Sequence, residues 1–154
     1  MSVKRAVIKQ YQAVADRAAA HAETFRTPPE GWLRTARKAL GMSGAQLARR
    51  MGVTRARISN AEKDELRGAV TLQSMQTAAE AMGCRFVYAI VPPGTMEDLI
   101  ASQARKKAAA LVGAAATHMA LESQALPGDK ITQKITSLAR DIAHEMPSDF
   151  WDSK

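Results

Sequence analysis

A chain of 154 residues with a formal charge of +7 has room for one domain, or for a small domain with an appendage, and its basic balance points toward polyanions. Hydrophobic residues make up 46% of it and aromatic residues only 5%, which, without long alternating runs, favours close-packed helices over a sandwich or barrel and predicts a mostly α fold. The single cysteine, Cys84, excludes an intramolecular disulfide and a cysteine-built zinc site, and is expected as a small buried residue in a reducing cytosol.

Charges at Lys4, Arg5, Lys9, Asp16 and Arg17 interrupt the N-terminal segment, so neither a signal peptide nor a membrane span is expected and a cytoplasmic location is expected. Residues 3–25 read as a helix, with Val7, Tyr11, Val14, Ala18 and Phe25 on one face at steps of three and four. "RTPPEG" ends it, which leaves residues 1–27 as an N-terminal helix. A second helix over residues 32–40 turns Trp32, Leu33, Ala36 and Leu40 inward and Arg34, Arg37 and Lys38 outward, with Gly41 as its C-terminal cap.

Ser43 opens the next helix, and Gln46 stands three residues on, in capping-box register. Gly52 ends that helix after about two turns, and Thr54 caps another that starts almost at once. The product is a short helix, a tight turn and a second short helix, locked by Leu47, Ala48, Met51, Val53 and Ile58. Thr71 caps a further helix with Leu72, Met75, Ala78, Ala79 and Met82 inside, ending at Gly83.

"CRFVYAIVP", residues 84–92, reads as the one strand, since β-branched and aromatic residues run through it and prolines stop it. A lone strand cannot satisfy its backbone hydrogen bonds. Either a hairpin forms within the chain, for which no second strand is apparent, or the strand pairs with a second copy in a homodimer. The punctuation at Pro92, Pro93 and Gly94 then separates two charge regimes: residues 1–94 carry 15 Lys and Arg against 7 Asp and Glu, residues 95–154 carry 7 against 8. Beyond the break, Met96, Leu99, Ile100, Ala104, Ala108, Leu111, Val112 and Ala115 form an apolar stripe that continues into "THMALESQ". After a turn at "LPGDK", Ile131, Ile135, Leu138 and Ile142 form another, followed by Pro147 and an exposed tail, "SDFWDSK". Two neutral amphipathic helices suit a protein surface better than DNA; they either meet a partner or extend a dimer core.

"LRTARKALGMSGAQLARRMGVTRARISNAEK" followed by "TLQSMQTAAEAMG" resembles the helix-turn-helix domain of the Cro and phage-repressor type, over roughly residues 30–83. The resemblance implies a five-helix DNA-binding domain over residues 28–83, preceded by the N-terminal helix. It implies that the helix after Thr54 enters the major groove. There Arg55 can pair bidentately with guanine, Asn60 can read adenine and Ala56 can pack on a thymine methyl, with Arg57 beside them. Arg49 and Arg50 are expected on phosphates, and Glu62 in a structural role. The competing reading is a set of solvated surface arginines. Gly44 stands where the family often carries glutamine, so any contact made by that side chain in relatives is missing here.

A strand directly after the last repressor helix resembles antitoxins of HipA-type kinases, which pair strands across a homodimer and read palindromic operators; residues 84–94 would be the dimerisation strand. The whole arrangement, from the leading helix through "GMSGAQLARRMGV", "GCRFVYAIVP" and "HMALE" to the terminal tryptophan, resembles the mobile mystery protein A family. That resemblance implies an antitoxin that represses its own operon from double-stranded operator DNA and silences a Fic-domain, nucleotidyl-transferring toxin through residues 95–154. Fic inhibitors of this kind carry a helical motif with Ser or Thr, three residues, then Glu; "HMALES" offers a degraded version, with His118 in the hydroxyl position, Glu122 as the glutamate and Ser123 after it. Such a glutamate competes for the arginine that holds the γ-phosphate; the plain alternative is an ordinary exposed helix glutamate. The chain itself is not expected to be an enzyme. His21, His118 and His144 are widely separated, no nucleophile, metal or phosphate-loop pattern appears, and no cofactor is expected.

Overall fold

The computed structural model describes residues 2–122 and 126–152, which form seven helices and no strand. In chain order these are α1 (Val3–Ala22), α2 (Trp32–Ala39), α3 (Gly44–Met51), α4 (Arg55–Arg67), α5 (Leu72–Ala81), α6 (Met96–Leu121) and α7 (Gly128–Glu145). The chain divides into two compact units, one of Thr24–Ala89 and one of Met1–Glu23 with Ile90–Lys154. The unit that holds the helix pair therefore has four helices, α2 to α5, where five were expected, and α1 belongs to the other unit.

In the first unit the helix boundaries follow from local chemistry. The Ser43 hydroxyl accepts from the Gln46 amide at 3.1 Å and the Gln46 side chain accepts from the Ser43 amide at 2.7 Å, so the capping box satisfies two donors that α3 would otherwise leave open. Gly52 closes α3 in the left-handed region with φ 66°, a conformation that costs a residue with a β-carbon about 1–2 kcal/mol. Thr54 then accepts from the Arg57 amide at 3.2 Å and starts α4. Leu33, Leu47, Ala48, Ile58, Met75, Ala78 and Met82 make the core, with Met51, Val53 and Phe86 packed against it. Full burial of Leu47 or Ile58 contributes about 1.5–3 kcal/mol each.

Several expectations in this unit are corrected. Arg37 faces inward rather than outward, because its guanidinium meets Glu62 with 2.6 Å between Nε and Oε1. Leu40 and Leu72 are exposed: Leu40 lies just past the end of α2, and Leu72 is the first residue of α5, where a side chain leans back over the preceding turn. Phe25 lies beyond the end of α1 and stacks on Trp32, centroids 5.0 Å apart. Residues 84–92 form no strand, since a ladder needs a partner and none is present among the described residues. Phe86 instead packs on the core and stacks with Tyr88, two residues on, and Cys84 is exposed rather than buried.

In the second unit α6 packs on α7 around Ala104, Ala108, Ile142 and Phe150. Ala104 and Ala108, one turn apart and fully buried, present no side chain beyond a methyl and so permit close helix approach. Thr95 and Asp98 form the capping box of α6. Asp16 of α1 accepts the Met96 amide at 2.9 Å, which puts a carboxylate at the positive end of the α6 dipole. That bond also helps set the rotation of α1: the expected inner stripe of Val7, Tyr11 and Val14 is exposed, and Ile8, Gln12 and Ala15 are half-buried instead. Leu99 and Leu111 likewise face out.

The tail is the largest departure. Phe150 is only 2% exposed, because Met146 adopts a left-handed conformation with φ 45° and reverses the chain at the end of α7. Gln103 donates to the Phe150 carbonyl at 2.8 Å, and Lys107 donates to the carbonyl and the carboxylate of Asp149 at 2.5 and 3.0 Å. No helix among the described residues is long and apolar enough to cross a membrane.

Candidate nucleic-acid interface

Helix α4 buries one side and leaves the other open. Ile58 is 4% exposed and Ala61, Glu62 and Glu65 are half-buried, whereas Arg55, Ala56, Arg57, Ser59, Asn60 and Lys63 are exposed. With 3.6 residues per turn, Ala56 and Asn60 fall near the middle of the open face, Arg57 and Lys63 flank them, and Arg55 projects from the first turn. The sequence-derived set of Arg55, Ala56, Arg57 and Asn60 is thus brought together on one solvent-facing arc. Thr54 stands at its start as the cap.

Two carboxylates on the inner side of α4 hold this arc in place. Glu62 accepts from Arg37 Nε at 2.6 Å and Nη2 at 3.2 Å, while Arg37 Nη1 donates to the Met42 carbonyl at 3.0 Å. The hydrogen bond to Glu62 raises the Arg37 pKa above its ordinary value. One turn on, Glu65 accepts the Trp32 amide at 2.5 Å and the Leu33 amide at 2.9 Å. Both tie α4 to α2, so the helix that presents the arginines is anchored by charge-assisted bonds as well as by Ile58. The structural role that the repressor resemblance implies for Glu62 thus has a concrete partner in Arg37.

A groove of about 670 Å³ runs beside the arc; Thr54, Ala56, Arg57 and Asn60 line one side and Gln73 and Thr77 of α5 the other. Reading the sequence missed Gln73, Thr77, Lys63 and Glu65. The first three look like ordinary solvated helix positions, and only the distance between α4 and α2 in space gives Glu65 its meaning.

The two arginines at the end of α3 part company. Arg49 is exposed. Arg50 Nε donates to the Ala81 carbonyl at 2.6 Å, which ties α3 to the last residue of α5 where carbonyls lack helical partners. Charge follows the same division: the unit of Thr24–Ala89 carries 11 Lys and Arg against 5 Asp and Glu, and the rest of the chain 11 against 10.

The second set of candidate residues lies in the other unit. Glu122 follows the last residue of α6 and pairs with His118, one turn back, with 3.1 Å between Nε2 and Oε1; both side chains are more than half exposed. Ser123 lies outside the described residues.

Residues 33–88 match the helix-turn-helix family. The match spans α2 to α5 and the segment after them, so the chain carries a helix-turn-helix domain of the DNA-binding kind. No curated protein and no solved structure matches the chain.

Proposed function

We propose that the chain is a sequence-specific transcriptional repressor that binds a palindromic operator as a homodimer, and that it also neutralises a Fic-type, nucleotidyl-transferring toxin. The observation that carries the DNA-binding part is the exposed arc of Arg55, Ala56, Arg57 and Asn60 on a helix held by Glu62 and Glu65. Arg55 pairs with guanine, Asn60 with adenine, Ala56 with a thymine methyl, and Arg49 neutralises a phosphate. Selection of bound duplexes from a random pool, followed by footprinting, tests it: a two-fold symmetric protected site is expected, and uniform binding to all sequences would overturn base reading.

The homodimer contact falls to residues 84–91. Val87, Tyr88 and Ile90 are 59%, 71% and 87% exposed, in a run of strand-forming residues whose backbone has no ladder among the described residues. Two copies placed edge to edge would satisfy those groups and cover those side chains. Val87→Pro removes a donor in mid-run and should give monomers by sedimentation; a dimer of unchanged strength would exclude this edge.

The toxin-binding part rests on the resemblance of the whole arrangement to the mobile mystery protein A family, and on α6 and α7 lying outside the charged unit. Glu122, exposed at the end of α6, would exchange His118 for the toxin arginine that holds the γ-phosphate, and inhibition would be by occupancy. The chain has no catalytic part in this scheme. Glu122→Ala should still bind the toxin yet release label transfer from ATP; full silencing by that variant would replace the glutamate with steric blockade. A stand-alone regulator, or the antitoxin of a HipA-type kinase, is the competing assignment, and the reading frame adjacent to the coding sequence discriminates among the three.

A further inference from the structure

Within the unit of α1, α6 and α7 lies a groove of about 400 Å³, a volume in the range of small-molecule sites. Each of the three helices sends a cation into its walls: Arg5 and Lys9 from α1, Arg105 from α6 and Arg140 from α7, with Ile8 and Ile100 on an apolar lining. The positions follow from helical spacing, since Arg5, Ile8 and Lys9 are three and four residues apart and share a face of α1. Glu97 is the one carboxylate of the lining, and His144 adjoins Arg140. None of the four cations, nor Glu97, takes part in a salt bridge among the described residues. The unit as a whole is almost neutral, at 11 Lys and Arg against 10 Asp and Glu, so the excess cations of the groove are a local segregation of charge. Like charges gathered around a partly apolar hollow raise its potential and favour an anion.

We propose that this groove binds a small amphipathic organic anion, with a carboxylate or phosphate monoester head against the arginines and a hydrocarbon body against Ile8 and Ile100. Guanidinium groups match such heads bidentately, and the isoleucines supply the area that an inorganic ion would leave exposed. A nucleic-acid duplex fits poorly, because its phosphates lie on a convex surface with no hydrocarbon to meet the apolar wall. The site goes beyond the DNA-binding and toxin-binding readings and depends on neither.

Calorimetric titration of the full chain with octanoate, octyl phosphate, octanol, octyltrimethylammonium and inorganic phosphate, all below micellar concentrations, tests the proposal. Saturable binding of octanoate or octyl phosphate, about tenfold or more tighter than octanol or inorganic phosphate, is expected, and none of the cation. Arg105→Gln combined with Arg140→Gln, both at exposed positions where folding is not at risk, should weaken octanoate about tenfold, and Arg49→Gln in the other unit should change it less than about twofold. Octanol binding as tightly as octanoate would reduce the site to a greasy cleft, and inorganic phosphate binding as tightly would reduce it to a charge patch; either overturns the proposal. So would capture of an acidic amphipathic peptide, or of phosphatidylglycerol vesicles, when the monomeric anions do not bind, since the occupant would then be a protein segment or a membrane surface.

Discussion

The carboxylate of Glu65 occupies the space that a β-carbon on Gly31 would need, only 2.9 Å from where that atom would stand. Its oxygens accept the Trp32 and Leu33 amides, so a side chain from α4 caps α2 in place of the N-cap residue, which here has no side chain to do it. Gly31 also has φ 83° and ψ 163°, a region that only glycine occupies without strain. Gly31→Ala should therefore lose both the cap and the backbone geometry, about 2–3 kcal/mol together, and Glu65→Ala the cap alone, about 1 kcal/mol. Urea unfolding followed through Trp32 in a Trp151→Phe background reads this unit by itself. Equal losses for the two variants would remove backbone strain from the account.

Arg55 and Arg50 flank the same turn and should fail in different ways. Arg55 is exposed, so Arg55→Ala should leave the unfolding midpoint alone, cost about 1–3 kcal/mol at the operator and relax one base position. Arg50→Ala breaks the bond to the Ala81 carbonyl and should cost about 1 kcal/mol of stability with little change in the salt dependence of DNA binding. Paired measurements of unfolding midpoint and of binding against salt concentration decide it. A shallower salt dependence with an unshifted midpoint would return Arg50 to the phosphate contacts expected from sequence.

The helix pair was legible because its determinants are local. Ser43 with Gln46, Gly52 and Thr54 each act within one turn, and the single buried Ile58 fixes which side of α4 is open. What escaped was set by partners distant in the chain. Glu65 serves an amide 33 residues away, and Arg37 reads as outward because it is charged, although an ion pair lets it point inward. On α1 two faces compete, and the apolar stripe of Val7, Tyr11 and Val14 loses to the one carrying Asp16, whose carboxylate meets the start of α6. Periodicity cannot weigh a stripe of hydrocarbon against a single well-placed acceptor. The run at residues 84–92 forms no strand for the converse reason: propensity is present, but the ladder it needs has no second strand among the described residues.

Lys107 and Asp149 give the second unit a defined response to acid. The hydrogen bond from Lys107, aided by its charge, holds the Asp149 carboxyl below its ordinary value. Because the folded pKa is the depressed one, the contribution of this pair is fully present above the unfolded value of about 3.9 and is lost as pH falls through the lower folded value. Lys107→Gln should bring the Asp149 titration back up toward that of a free aspartate and abolish its share of the acid sensitivity. Carbon-detected NMR titration of the Asp149 carboxyl in both proteins measures this, and coincident midpoints would dismiss the pair.

Phe150 should matter more than any other residue of the tail. It is 2% exposed, packs with Ala104, Ala108 and Ile142, and meets Trp151 edge to face with centroids 4.8 Å apart. Ala104 and Ala108 contribute only methyl groups to this core, so the ring fills the space they leave and its removal opens a cavity beside them. Phe150→Ala should cost about 3–5 kcal/mol, a large fraction of what a unit of this size has to lose, whereas Phe150→Leu, which keeps most of the volume, should cost less than half as much. Unfolding followed through Trp151 in a Trp32→Phe background reads the effect directly. It should appear as a lower urea midpoint together with an emission shift to longer wavelength as the Gln103 and Lys107 tethers let go. A loss below about 1 kcal/mol for Phe150→Ala would mean that the tail is not held against α6 and α7 in solution, because a buried phenyl ring cannot be removed so cheaply.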